Sequence, residues 1–530
     1  MRKPTAISAG PWIVYSLLGL VALSPWMHAS YLFSADQYVH LYNTCLLDGQ
    51  LQHPSIREWL QLNTFPVPNW SGHALTLAFT QILPLALAEK LLVIVLWGLN
   101  GYAFLGAFYG QAASDKSRRW FSTEVVFASL ALMFWFSASW QLGFVNYLLG
   151  MAGVLAALRH TSHYRGRGWK VLVWACLLYF CHPIALLFFG GTYMLRYFLQ
   201  LAHSVSHARE VLRRKVTWQH FLLAFGLPGV LLIAYIITYS EVSTLAGASP
   251  WRLLGLAYYH HDLTLYSAQE EVLAKAIMLA TVVAIAYGAY RLRKHNKKRW
   301  LLGTIGLSVL IGAIIFAPNY FAGGALIHQR LMPITFIWSF WILYPVLSEA
   351  LQRFVTARRV YAFIALVLIA GISSVRLISL QDTTDALDEL VGFSLQIPAG
   401  STVLPVAASG QFSFPNGRLS PKPVMHHFGA VIPCHRQLVL LDNYEAFVGY
   451  FPLQWRPDRD PYQALGRGLE EHPAKLEKNG ADWLFERCDY VLSYGALQAA
   501  VVPETYTWLA PRLKHVGTSP SGSYQLFQVR

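Results

Sequence analysis

An aspartate and a histidine four residues apart, Asp36 and His40, follow directly on the first long apolar stretch of the chain, Pro11 to about Phe33. A carboxylate at the mouth of an apolar span is costly unless water, a metal ion or a substrate meets it, which marks Asp36 as a group placed for chemistry. His40 shares its face if the segment is helical. Other groups able to hold an anion or move a proton stand at similar boundaries between apolar runs: Asn69, His73, His182, His260, His261, His328 and Arg330. Polar loops would explain any one of them. Their joint occurrence at span boundaries is harder to explain that way, because ionisable groups at membrane depth usually face a cavity.

Composition dictates the elements that must position these groups. Of 530 residues 55% are hydrophobic and 13% charged, with a mean hydropathy of +0.39. That makeup is too apolar for an ordinary soluble domain and implies a polytopic α-helical membrane protein. Spans long enough to cross ~30 Å of hydrocarbon fall at 11–33, 88–111, 123–139, 142–160, 170–182, 184–203, 217–240, 271–292, 300–317, 330–349 and 359–379, about eleven transmembrane helices. The first is expected to be retained, since Met1-Arg2-Lys3 precedes an apolar run too long for a signal peptide and lacking a small-x-small cleavage site.

The formal charge of +14 gathers in every second loop: Lys116, Arg118 and Arg119, then Arg165, Arg167 and Lys170, then Arg213 to Lys215, Arg291 to Arg299, and Arg353 to Arg359. Topology selection produces this alternation, and it speaks against a nucleic-acid partner. The amino terminus is then cytoplasmic and Asp36 external, in a large first loop over 34–87 that carries a helix along the outer interface or re-entering it.

The membrane part is expected to span 1–379 and a soluble, mixed α/β extracytoplasmic domain 380–530. In that tail apolar runs shorten, prolines punctuate, and Thr402-Val403-Leu404, Leu438 to Leu441, Tyr490 to Tyr494 and Tyr524 to Val529 read as strands. Cys434 and Cys488 are its two cysteines, and an oxidising compartment would permit a disulfide between them, with two buried free thiols as the alternative. Cys45, Cys176 and Cys181 have no metal-ligand spacing. There is no phosphate loop, no His-Glu-x-x-His and no Gly-x-Ser-x-Gly, so an ATP-driven pump is unsupported.

An acid opening a large first external loop, a helix along the outer interface, about eleven spans, His182 at the external end of a middle hairpin, Arg330 before a late span and a mixed extracytoplasmic tail together resemble the GT-C glycosyltransferases. The resemblance implies transfer of a sugar from a polyprenyl-phosphate-linked donor to a lipid, glycan or protein acceptor at the outer face of a bilayer, with the bacterial inner (plasma) membrane as its location and a periplasmic tail. It makes Asp36 the general base, with His40 orienting it or touching the leaving phosphate. Arg330 leads the donor-phosphate set, joined by His328, His182, His260 and His261, with His73 and Asn69 nearby. Many members carry two neighbouring acids in that loop, whereas Gln37 follows Asp36 here, a departure that tells against metal assistance. Asp36, His40 and His73 could ligate a divalent cation, Mg or Mn, but their spacing matches no established pattern. The rival readings are a secondary transporter of a lipid-linked or anionic solute and a polysaccharide polymerase or ligase. Against the transporter stand span centres nearly free of charge and the lack of an internal repeat.

Overall fold

The computed structural model describes residues 9–31, 34–109, 138–161, 168–201, 215–239, 270–317, 320–321, 324–325, 327–353, 355–414, 419–420 and 423–530. Long apolar runs become helices because a backbone without water must satisfy its own hydrogen bonds. The main helices before residue 400 are α1 (Ala9–His28), α2 (Gln37–Leu47), α3 (Ser71–Thr80), α4 (Leu85–Tyr109), α5 (Val145–Thr161), α6 (Gly168–Cys181), α7 (Pro183–Leu201), α8 (Lys215–Tyr239), α9 (Glu271–His295), α10 (Lys297–Phe316), α11 (Ile327–Arg353) and α12 (Val355–Ser394), with α2 and α3 the short ones of the first loop. Expected span 123–139 lies almost wholly outside the described residues; each of the other expected segments holds a helix.

Among the described residues five helical stretches are long and apolar enough to cross a membrane: Leu85–Ala103, Trp218–Tyr239, Glu271–His295, Arg299–Phe316 and Leu366–Ser394. Two shorter apolar helices, Trp12–His28 and Gly168–Cys181, accompany them. Their outward faces carry bare aliphatic and aromatic side chains, among them Leu222, Ile237, Val309 and Phe363. Such faces are compatible with an integral membrane protein, for which lipid is the matching solvent.

Residues 34–87 hold α2 and α3 and a short strand, β1 (Leu60–Leu62). The tail contains β2 (Thr402–Ala407), β3 (Val439–Leu440), β4 (Leu453–Trp455), β5 (Tyr490–Tyr494), β6 (Leu513–Thr518) and β7 (Tyr524–Val529). Five of these form one sheet in the order β3-β2-β5-β7-β6, parallel across β3-β2-β5 and antiparallel beyond. All of β2 is buried, as a central parallel strand covered on both faces must be. Helix α12 runs on unbroken past residue 379 to Ser394, so the membrane half and the tail share one helix at their junction.

The tail does not hang free. Strand β1 of the first loop pairs antiparallel with β4 of the tail, Leu60 opposite Trp455 and Leu62 opposite Leu453. One apolar core continues from Tyr15 and Trp26 in α1, through Tyr42 in α2, to Leu404, Leu440 and Leu526 in the sheet.

Candidate functional site

Helix α2 starts on Ser34, whose hydroxyl accepts the Gln37 amide at 3.2 Å. Asp36 occupies the capping position yet makes no side-chain cap bond. Its carboxylate is therefore left for other partners, half-buried and facing a cavity of about 1140 Å³. The turn at Gly143 presses directly on it. A Cβ at Gly143 would lie 2.6 Å from the Asp36 Cβ and 2.8 Å from the Gln37 nitrogen, and φ there is +78°, so only glycine fits.

The Gly143 carbonyl accepts the His40 Nε2–H at 3.0 Å. His40 Nδ1 meets Glu445, the second residue of a short tail helix, α13 (Tyr444–Val448). His73, from α3, places Nε2 3.4 Å from the same carboxylate, which the Asn43 side-chain amide of α2 also reaches. Burial opposes charge on His40, but Glu445 and then Asp36 hold its pKa above the usual histidine value. Burial likewise works against the Glu445 carboxylate, and His40, His73 and Asn43 keep its pKa below the usual glutamate value. Burial carries His73 down to about 4, so that ring is neutral. The result is an imidazolium–carboxylate pair clamped between loop and tail.

Asp36 stands one turn from this pair in a different state. Burial raises its pKa to about 6, against the lowering pull of His40, Arg330 and a hydrogen bond from Tyr444. A carboxylate so tuned is ionised at neutral pH yet basic enough to take a proton.

A cation site lies opposite. Pro183 is the first residue of α7, with no amide to spare, so the chain turns at His182 between two helices. His182 Nε2 accepts from Arg330 Nη1 at 2.6 Å, and the guanidinium carbon sits 3.8 Å above the Phe144 ring. Arg330 Nε is buried with no hydrogen-bond partner. Arg376 differs: Glu270 engages it with two bonds of 3.0 Å. Among the described residues no carboxylate is in ion-pair contact with Arg330, and a half-buried cation in that condition favours an anionic ligand.

The cavity continues from these groups along the apolar helices. Its polar end is closed by Asn69 and by the tail's His426, His427, Tyr444, Arg467 and Glu470. Asn69 is buried, holds φ +64° and leaves its Oδ1 unpartnered, a strained placement of the sort found where a side chain is aimed at a ligand. From His182 the cavity follows α7 past Leu187, Phe188 and Leu195, about 20 Å at 1.5 Å per residue. Ile305 and Val309 of α10 and Ile334 and Trp338 of α11 wall the same arm, where Thr192 is a lone hydroxyl among the apolar side chains named.

The structure thus brings Asp36, His40, Asn69, His73, His182 and Arg330 around one chamber or its wall. His260 and His261 lie outside the described residues; His328 falls in α11, its side chain outside them. For a metal, the ligand set differs from the expected Asp36, His40 and His73: ligand atoms of His40, His73 and Glu445 lie within 4.8 Å of one another, and Asp36 is not of the group. Two imidazoles and a carboxylate suit a first-row divalent ion better than Mg. The Glu445 carboxylate also meets His40 and Asn43 directly, while both ring nitrogens of His73 lack a hydrogen-bond partner.

The cysteine pairing also differs from expectation. Cys434 Sγ lies 2.9 Å from Cys45 Sγ, whereas Cys488 is buried beside β5 with its thiol 3.1 Å from the Tyr490 carbonyl. A bridge between Cys434 and Cys488 is not the arrangement the fold sets up. Gly143, Tyr444 and Glu445 join the site without any mark in the sequence, since each is brought there only by the fold. The sequence matches no protein-family model and no curated protein.

Proposed function

We propose that this protein is an outer-face membrane glycosyltransferase that transfers a sugar from a polyprenyl-phosphate-linked donor to a hydroxyl-bearing acceptor. The observation that carries the reading is the shape of the cavity: a carboxylate and a guanidinium that share no ion-pair contact at one end, and an apolar arm about 20 Å long at the other. A donor with one long hydrocarbon tail, an anionic phosphate and a sugar has the same three parts in the same order.

In this mechanism the prenyl chain lies between α7, α10 and α11, where it is shielded from water. Arg330, steadied by His182 and Phe144, engages the phosphate through its spare donors. Asp36 accepts the proton of the acceptor hydroxyl as that oxygen bonds to the anomeric carbon, and the carbon–oxygen bond to phosphate breaks. The phosphate keeps the electron pair and leaves as polyprenyl phosphate, its charge held by Arg330. His40 and Glu445 fix the helix that aims Asp36. No step in this account runs through a metal ion.

On this reading the amino terminus is cytoplasmic and the first loop and the tail are outside, with about eleven spans between, as the alternation of loop charge suggests. The test of function is reconstitution of the full chain in vesicles with polyprenyl-phosphate sugars. Sugar transfer by wild type and its loss in a folded Asp36→Asn variant are expected; equal transfer by both would remove Asp36 as base. Solute movement across sealed vesicles with no transfer would favour a transporter. For topology, an impermeant maleimide should reach Asn479→Cys, on the exposed tail surface, only from outside.

A further inference from the structure

Helix α2 and the tail meet along a line of paired groups. Tyr42 donates its hydroxyl to the Leu438 carbonyl at 3.0 Å, and Asn443 donates its side-chain amide to Asn43 Oδ1 at 2.8 Å. Farther along, Gln50 donates its amide to the Pro433 carbonyl at 3.0 Å. Between these fixed points Cys45 faces Cys434, the last residue of the 3-10 turn Phe428–Cys434, across 2.9 Å of sulfur–sulfur distance. That is closer than unbonded sulfurs pack and less than 1 Å beyond a covalent bond of about 2.0 Å. Both residues are only half-buried, so a small oxidant can reach them.

We infer that Cys45 and Cys434 are disulfide partners, and that their bridge fastens the helix bearing Asp36 and His40 to the tail segment bearing Tyr444 and Glu445. The other cysteines are placed differently. Cys176 and Cys181 belong to the apolar helix α6, and the Cys488 thiol is shut behind β5. No large backbone movement is needed, because the flanking hydrogen bonds already hold both segments in register.

The oxidant is a disulfide, carried by a thiol oxidoreductase or by oxidised glutathione. One cysteine thiolate attacks a sulfur of that disulfide, forming a mixed disulfide and releasing one thiol. The second thiolate attacks the protein sulfur of the mixed disulfide and releases the other thiol. Two protein thiols thereby lose two protons and two electrons, and the oxidant's disulfide becomes two thiols. In the cell this step rests on the proposed external placement of loop and tail, since a reducing cytoplasm would keep both thiols free.

The test uses full-length protein, alkylated at lysis, purified in detergent and digested without reductant. A linked Cys45–Cys434 peptide pair is expected in mass spectra, absent from Cys45→Ser and Cys434→Ser. Each variant should melt several degrees lower than oxidised wild type and match reduced wild type. If protein from cells has free thiols but oxidised glutathione links Cys45 to Cys434 in the purified chain, the pairing stands and the external placement falls. Free thiols after that treatment, or a link from Cys434 to Cys488, would overturn the pairing. An Asp36→Asn variant should keep the bridge, which separates this result from the assignment of the base.

Discussion

Two carboxylates act on His40, and their surroundings treat them oppositely. Glu445 is buried among His40, Asn43 and His73, and its pKa lies below the usual glutamate value. Asp36 borders the cavity, caps nothing, and has its pKa raised by burial to about 6. An acid enclosed by basic and amide side chains away from the cavity holds structure together; one that borders the cavity is available to a substrate. Arg376 and Arg330 repeat the lesson in cations, the first closed by Glu270 and the second open toward the chamber.

The most direct way to break this comparison is to remove each acid's charge. Asp36→Asn should lower sugar transfer by about 10²–10⁴-fold while leaving the melting temperature nearly unchanged. Next in size, Arg330→Gln should raise the donor KM by roughly 10–100-fold, the worth of one or two charge-assisted hydrogen bonds. Steady-state kinetics with varied donor would read this, and an unchanged KM would remove Arg330 from the phosphate site. Glu445→Gln should act mainly on the fold, costing roughly 1–3 kcal/mol of stability as His40 loses its ionised partner. If that variant melts normally but fails in transfer as badly as Asp36→Asn, the division of labour between the acids is wrong. Gly143→Ala should slow transfer by about tenfold, through displacement of Asp36 and not through loss of binding.

Acidity offers the finest discrimination. As pH falls from about 6.5 to 5, Asp36 takes up a proton that burial favours, while the lowered pKa of Glu445 and the raised pKa of His40 keep their ion pair charged. Stability contributed by a carboxylate of lowered pKa is present above its unfolded value and is lost only as pH falls through the folded one. Transfer should therefore fall off near pH 6, reversibly, with no matching drop in melting temperature. A parallel loss of both would mean that one network serves both tasks.

Legibility in the sequence followed the cost of placing each group. Asp36, His182 and Arg330 stand out because charge beside apolar spans is expensive and needs a reason. Glu445 and Tyr444 carry no such mark: acids and tyrosines are ordinary in a soluble domain, and their closeness to His40 arises only when β1 pairs with β4 and α13 reaches α2. Gly143 is one of 38 glycines, and what requires it there is a backbone 100 residues away. The strands at 402, 439, 490 and 524 were readable from short apolar runs between turn residues. Cys45 and Cys434 are 389 residues apart and meet only when α2 docks on the tail, so no spacing in the sequence links them.

The pairing of the first loop with the tail also sets an order in time. Residue 36 leaves the ribosome long before the groups that complete its surroundings, Tyr444 and Glu445. The chamber cannot be finished until synthesis has passed residue 445. A nascent or truncated protein ending before residue 444 would carry α1 to α12 and the apolar arm, yet lack both the carboxylate that holds His40 and the hydroxyl that meets Asp36.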